Sequence, residues 1–244
     1  MGFDYERDTR GFYQDEATAQ RYHDMYASPR GWRDLPSRVV ANRERRVVRS
    51  ALARIPHRSA LDIPAGTGKL AGVFASLGTR VVASDVSPSM LKRAEAEFSK
   101  AGHGHVTFQV ADAAELDDFQ DGAFDVVVCL RLMHRVPSAL RMRMLRQFAR
   151  IAPHAIVSFG IENGFHGMRR SLRAAIFGGR RDALCFCSLA QARAELEPLF
   201  DVVARNWIAP ALSQEMIFLL KSKLRPAGPI DELHPAAAGL PAAS

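Results

Sequence analysis

Leu61-Asp62-Ile63-Pro64-Ala65-Gly66-Thr67-Gly68-Lys69 is the stretch on which the fold turns. It continues the apolar run that begins at Ser59 and passes through small residues into a helix-forming segment, the pattern of a strand, a tight turn and a helix. Small residues at 65, 66 and 68 let the backbone approach a ligand, while the N–H groups and dipole of the next helix favour a negatively charged group. A P-loop is excluded, because Ile63 stands where its first glycine is needed and Leu70 where Ser or Thr must follow the lysine. A dinucleotide fingerprint is formally met by Gly66, Gly68 and Ala71, with Asp85 at the spacing of a ribose-binding acid. The turn alone does not choose between these nucleotide folds.

Outward from this turn, further strands are expected at about 79–84, 106–110, 124–130 and 155–159, all nearly continuous apolar runs. Runs of that kind belong to strands buried on both faces, hence to a parallel sheet covered by helices. Ser87-Pro88 supplies an N-cap and an N1 proline for one intervening helix, and Pro137-Ser138 opens another that reaches about Ile151. Ser188 caps a helix expected to run to Leu199, and 201–209 and 215–221 read as an antiparallel hairpin at one sheet edge. The expected fold class is α/β: a doubly wound, seven-stranded, mostly parallel sheet with helices on both faces and an antiparallel C-terminal hairpin. Residues 1–58 are expected to be helices that precede the first strand and close over the ligand site at the turn, with 59–224 forming the main domain. Residues 160–187 are read as a basic cap insertion, and the Pro- and Ala-rich 225–244 as a disordered tail.

Four landmarks in order resemble a class I (Rossmann-like) S-adenosylmethionine (SAM)-dependent methyltransferase, over roughly 59–160. The first is Asp62-Ile63-Pro64-Ala65-Gly66-Thr67-Gly68, similar to the family's Asp-x-Gly-x-Gly-x-Gly except that Pro64 replaces the first glycine. The second is Ser84-Asp85-Val86-Ser87-Pro88-Ser89-Met90. Here the resemblance implies that Asp85 accepts both ribose hydroxyls while Val86 and Met90 flank the adenine. The third, Val110-Ala111-Asp112-Ala113, implies Asp112 beside the adenine amino group and Ala113 against its ring. The fourth is Phe124-Asp125-Val126-Val127-Val128-Cys129-Leu130, whose carboxyl end faces the methyl donor and brings Leu130 to it. Tyr22 and Arg43, from the N-terminal helices, are expected at the methionine end of SAM. Asp62 is divided between turn capping and an indirect contact on the sulfonium side.

The resemblance implies an enzyme that transfers a methyl group by in-line displacement, for which the protein aligns nucleophile, carbon and sulfur and excludes water. An oxygen or nitrogen acceptor can require proton removal, and His134 is the expected candidate base, its alternative being a pocket wall or a structural residue. Cys185-Phe186-Cys187 lacks a second Cys/His pair, so no metal site is expected. An NAD(P)-binding oxidoreductase is the disfavoured reading of the same turn, since it needs neither the acid inside the first strand nor Asp112.

The 244 residues carry a formal charge of +7. Counted by segment the balance is +4 for 1–58, −5 for 59–128, +10 for 129–181 and −2 for 182–244. A uniformly basic nucleic-acid coat is not what this distribution describes, and the excess beside the expected acceptor entrance points to an anionic partner. Arg141, Arg143, Arg146 and Arg150 are expected to face solvent from the helix after the fourth strand. The arginines of the insertion are read as a cap over a small-molecule acceptor that is acidic or linked to a lipid or glycan. The alternatives for that insertion are contact with an anionic membrane surface and phosphate tracking by an RNA methyltransferase. Three cysteines, no signal-peptide pattern at the start and no long apolar run set a cytoplasmic location as the expectation. The oligomeric state is left open.

Overall fold

A computed structural model describes residues 35–162, 185–210 and 212–224. The order of elements is α1 (Leu35–Leu52), β1 (Ser59–Asp62), α2 (Ala71–Leu77), β2 (Arg80–Asp85), α3 (Pro88–Lys100), β3 (Val106–Val110), β4 (Val126–Cys129), α4 (Ser138–Ile151), β5 (His154–Gly160), α5 (Leu189–Leu196), β6 (Phe200–Trp207) and β7 (Glu215–Ser222). The seven strands form one sheet in the order β3-β2-β1-β4-β5-β7-β6. The first five are mutually parallel, and β7 runs antiparallel to both β5 and β6. The expected strand positions, and the hairpin, are those observed.

Alternation along the strands sends side chains to two cores. On one face, Ala60, Val81, Val126, Ile156 and Leu219 meet α1, α2 and α3 through Leu52, Phe74 and Phe98. On the other, Leu61, Val127, Val157 and Phe218 meet α4 and α5 through Leu145, Phe148 and Leu196. β4 and β5 are buried at every position, as continuous apolar runs require. β3 departs from that reading. It is an edge strand with no buried position, and Val110 at its end is 57% exposed.

Local signals set the helix starts. Ser87 adopts an extended conformation and accepts from the Met90 N–H, with Pro88 at the first helical position. Ser188 and Gln191 form a reciprocal capping box on α5, which ends at Leu196, short of the expected Leu199. None of the described helices is long and apolar enough to cross a membrane. Residues 1–34 of the expected N-terminal helices, the 163–184 part of the expected 160–187 cap and the tail at 225–244 lie outside the described residues.

One expectation about charge needs correction. Arg141 does not face solvent. It is buried on α4, and its guanidinium donates to Glu195 of α5 at 2.6 and 2.7 Å and to the Val136 carbonyl at 2.8 Å. Arg150 likewise binds inward, to the carbonyls of Phe119 and Leu116 and to Asp121. Part of the basic surplus of 129–181 thus holds helices and loops together.

Candidate active site

The chain runs from β1 outward to β2 and β3, then crosses to β4 on the other side of β1, which makes the β1/β4 boundary a topological switch point. A cleft opens there at the carboxyl ends of the strands, with about 1090 Å³ of empty space including its mouth. Nine sequence-derived residues line it: Asp62, Pro64, Ala65, Gly66, Asp85, Val86, Met90, Ala113 and Leu130. They come from four loops distant in sequence, and the parallel sheet alone brings them together.

The loop after β1 is held from two sides. Ile63 N–H donates to the Val128 carbonyl at 2.9 Å and Ala65 N–H to the Ser84 carbonyl at 2.8 Å. Gly66 lies at φ +53 with open space where a Cβ would stand, so the backbone faces the cleft without obstruction. Its N–H donates to Asp85 Oδ2 at 2.9 Å, and Asp85 Oδ1 accepts from Ser87 N–H at 3.0 Å. This revises the expectation that the turn offers its N–H groups to a ligand anion: the glycine donor already serves a carboxylate of the protein.

Burial raises the Asp85 pKa from 3.8 to about 6, against the lowering effect of its backbone donors. Asp62 lies deeper, and burial together with the Asp85 charge lifts its pKa well above the usual carboxylate range. Both acids lie at the carboxyl ends of neighbouring parallel strands, at the wall of the cleft.

Gly68, expected in the binding loop, is not among the lining residues. At φ +76 its added Cβ would stand 2.9 Å from Ala94 Cα and 3.0 Å from the Ala94 carbonyl oxygen. The glycine is therefore needed so that the loop can lie against α3. Asp112 also lies off the cleft wall: its Oδ1 accepts from Ala114 N–H at 2.9 Å, closing its own turn, while Ala111 and Ala113 face the cavity. Arg43 points elsewhere and lines a second pocket on the other face of α1, whereas Ala41, Glu44 and Arg45 line the cleft. Tyr22 lies outside the described residues.

His134, the candidate base, sits in a 3-10 turn at Met133–Arg135, and it too is absent from the cleft lining. Its ring stacks on Phe186, with centroids 5.9 Å apart and planes at 7°, and its Nδ1 is buried without a hydrogen-bond partner. Burial, reinforced by Arg135 and Arg131, pushes its pKa down to about 3. The imidazole is neutral near pH 7 but a weak proton acceptor, since efficient proton transfer needs a pKa near the working pH.

Sequence reasoning missed a buried ionic cluster at the cleft. Arg131 has φ 61, uncommon outside glycine, and its N–H donates to Ser158 Oγ at 2.7 Å. Its guanidinium forks onto Glu44 of α1, with Nε at 3.0 and 3.1 Å from the two carboxylate oxygens, and the terminal nitrogen also in contact. Glu215, at the start of β7, lies 3.8 Å from Arg131 Nε. One Glu215 oxygen, Oε1, is buried with no donor, and burial followed by the Glu44 charge raises the Glu215 pKa from 4.5 to about 7. Two signals were present in the sequence: Glu44 is the lone acid among the arginines of α1, and Glu215 opens an otherwise apolar run.

Comparison with known proteins agrees with this architecture. Residues 60–153 match a family model described as a methyltransferase domain. Ubiquinone biosynthesis O-methyltransferase from Xanthomonas campestris pv. campestris (strain B100) is 32% identical over 91 residues, which are 37% of this chain and 38% of that protein. The protein of the same name from Burkholderia thailandensis is 33% identical over 88 residues, 36% of this chain and 38% of its own length. The matched part thus spans well under half of these relatives. Among solved structures, magnesium protoporphyrin IX methyltransferase from Synechocystis PCC 6803 with bound SAH superimposes with a TM-score of 0.75 at 19% identity, covering 89% of this chain and all of that one. A protein from Pyrococcus horikoshii OT3 gives a TM-score of 0.62 at 16% identity, over 83% of this chain and 99% of that one. Residues 60–153 thus resemble a methyltransferase domain, and the chain shares the Rossmann-like α/β fold of these solved structures.

Proposed function

We propose that this chain is a SAM-dependent methyltransferase acting on a small-molecule acceptor, with transfer to oxygen the first reaction to test. The carrying observation is the β1–β2 junction, where the Asp85 carboxylate is fixed by the Gly66 and Ser87 N–H groups at the rim of a cleft that Asp62, at the end of β1, also lines. Asp62, an acid at the end of β1 that a dinucleotide site does not call for, favours the SAM reading, and a donor without phosphates needs no anion seat on a loop whose Gly66 N–H is already engaged by Asp85.

The lining residues fit SAM. Asp85 retains lone pairs on both oxygens to accept ribose hydroxyls, Val86, Met90 and Ala113 offer apolar walls for a purine, and Gly66 leaves open space at the turn. Arg45, Lys69 and Glu44 add charges suited to an amino-acid moiety. When bound, SAM supplies a methyl group already activated on sulfur. The protein's task is then to align the acceptor, and Leu130 and Leu132 keep water from the carbons around the transfer. The Arg131–Glu44 pair ties α1 to the end of β4 and so holds two cleft walls together. His134 is given no chemical role in this reading, because its ring is neutral, weakly basic and stacked away from the cleft lining.

Oxygen as the acceptor atom draws support from the relatives named O-methyltransferases. Arg135 at the cleft fits an acidic group on the acceptor. The experiment is transfer of labelled methyl from SAM into cell-extract fractions separated as RNA, lipid and small molecules. Label in the small-molecule or lipid fraction, lost with Asp85→Ala, is expected. Label confined to RNA would overturn the acceptor assignment.

A further inference from the structure

We infer that the face of α1 turned away from the cleft forms a second binding site, for an amphiphilic anion carrying a phosphate group on an apolar body. A pocket lies between this face and the outer strands β6 and β7. Its rim carries Arg43, Arg46 and Arg54, with the Ser50 hydroxyl and the Asn206 amide between them. Val47 and Leu219 form its apolar floor. The site shares no lining residue with the cleft, which α1 meets through Ala41, Glu44 and Arg45.

The charge on this face is unbalanced. α1 carries five arginines and a single acid, Glu44, which is buried and engaged by Arg131. Arg45 donates to Asn42 and Arg49 to Ser76. Arg43, Arg46 and Arg54 have no ion pair or side-chain hydrogen bond among the described residues. Like charges three residues apart on a helix repel one another, so Arg43 and Arg46 cost stability until an anion neutralises them. Asp201 of β6 is already 3.6 Å from Lys223. The polar groups at the rim are thus guanidinium forks plus two neutral donors, a set that grips phosphate oxygens through paired N–H groups.

The shape narrows the ligand. From Arg43 to Leu52 the helix runs roughly 14 Å at about 1.5 Å per residue, and Arg54 lies just past its end, so the groove is long enough for a head group and part of a chain. Apolar side chains under a cationic rim suit an alkyl phosphate better than a free inorganic ion. Among the described residues no aromatic ring lines the groove, so these residues supply no stacking platform of the kind on which single-stranded nucleic acids are held.

The test titrates the full chain with dodecyl phosphate below its micellar concentration, with inorganic phosphate, with dodecyl maltoside and with a 20-nucleotide RNA. Saturable one-site binding of dodecyl phosphate is expected, tighter than that of the other three. The double variant R46Q/R54Q should weaken it at least tenfold, and R46K/R54K should recover part of that loss. Cooperative thermal unfolding of the double variant at a midpoint no lower than the parent's is the control for folding, since both arginines are exposed. Equal binding by the double variant, equal affinity for dodecyl maltoside, or tighter binding of RNA would each overturn the inference. The result is independent of what the cleft binds.

Discussion

Replacing Glu215 with Gln should reverse the usual expectation for loss of a charge near an arginine: the variant should be the more stable protein at pH 8. Glu215 is 7% exposed, one of its oxygens has no donor, and Glu44 lies close enough to raise its pKa further. Its pKa is about 7 in the folded chain against an ordinary 4.5. Between those values the folded state holds a proton that the unfolded chain has released, so stability falls as pH rises. The stabilising contribution is complete below pH 4.5 and is lost by the time pH passes 7. That interval corresponds to roughly 3 kcal/mol at about 1.36 kcal/mol per pH unit. Gln has the shape of the protonated acid and does not titrate. The stability of Glu215→Gln minus that of the parent should therefore rise by roughly 3 kcal/mol between pH 4.5 and 8. Urea unfolding at closely spaced pH values measures this difference, and with m of about 2 kcal/mol/M the midpoint gap should widen by roughly 1.5 M. His134 and Asp85 titrate in both proteins and cancel. A flat difference, or one that falls with pH, would mean that Arg131 holds Glu215 as an ordinary ion pair, and would refute the reasoning.

Three further outcomes follow from the same packing. Gly68→Ala forces a Cβ into the backbone of Ala94 at a positive φ, and should cost about 2–4 kcal/mol by chemical unfolding. Arg141→Ala leaves Glu195 buried without its cation, and should cost about 3–5 kcal/mol in the same assay; a loss under 1 kcal/mol would show the pair to be dispensable. SAM affinity should be nearly constant above pH 7 and fall toward tenfold per unit below pH 6, because Asp85 must be ionised to accept hydroxyls and protonates at about 6 when the cleft is empty. Isothermal titration across pH 5–8 reads this, and a pH-independent affinity would remove Asp85 from the ribose role.

Much of this was legible because the signals are local. Ser87-Pro88 and Ser188 mark helix starts through contacts three residues away, and the apolar runs of β4 and β5 describe strands covered on both faces. The expected residues that line the cleft are those at the ends of such strands, where topology leaves little choice. The misreadings involve partners far apart in sequence. Gly68 resembles a ligand-binding glycine until α3 is seen to press on it, and Arg141 resembles a solvent charge until Glu195, 54 residues later, is placed against it. Arg131 meets Glu44 across 87 residues, a pairing no spacing rule contains. Arg43 and Arg45 differ by only two positions, yet they face opposite sides of α1. That rotation depends on where Val48 and Leu52 pack, and on which side Arg131 engages Glu44.

The central claim is the identity of the ligand in the cleft at the β1/β4 switch point, and one calorimetric experiment addresses it. SAM and NAD are titrated separately into the full chain and into Asp85→Ala. One-site binding of SAM, no heat from NAD, and at least a tenfold loss of SAM affinity in the variant are the predicted results. Binding of NAD in place of SAM, or SAM binding that Asp85→Ala leaves unchanged, would contradict the account.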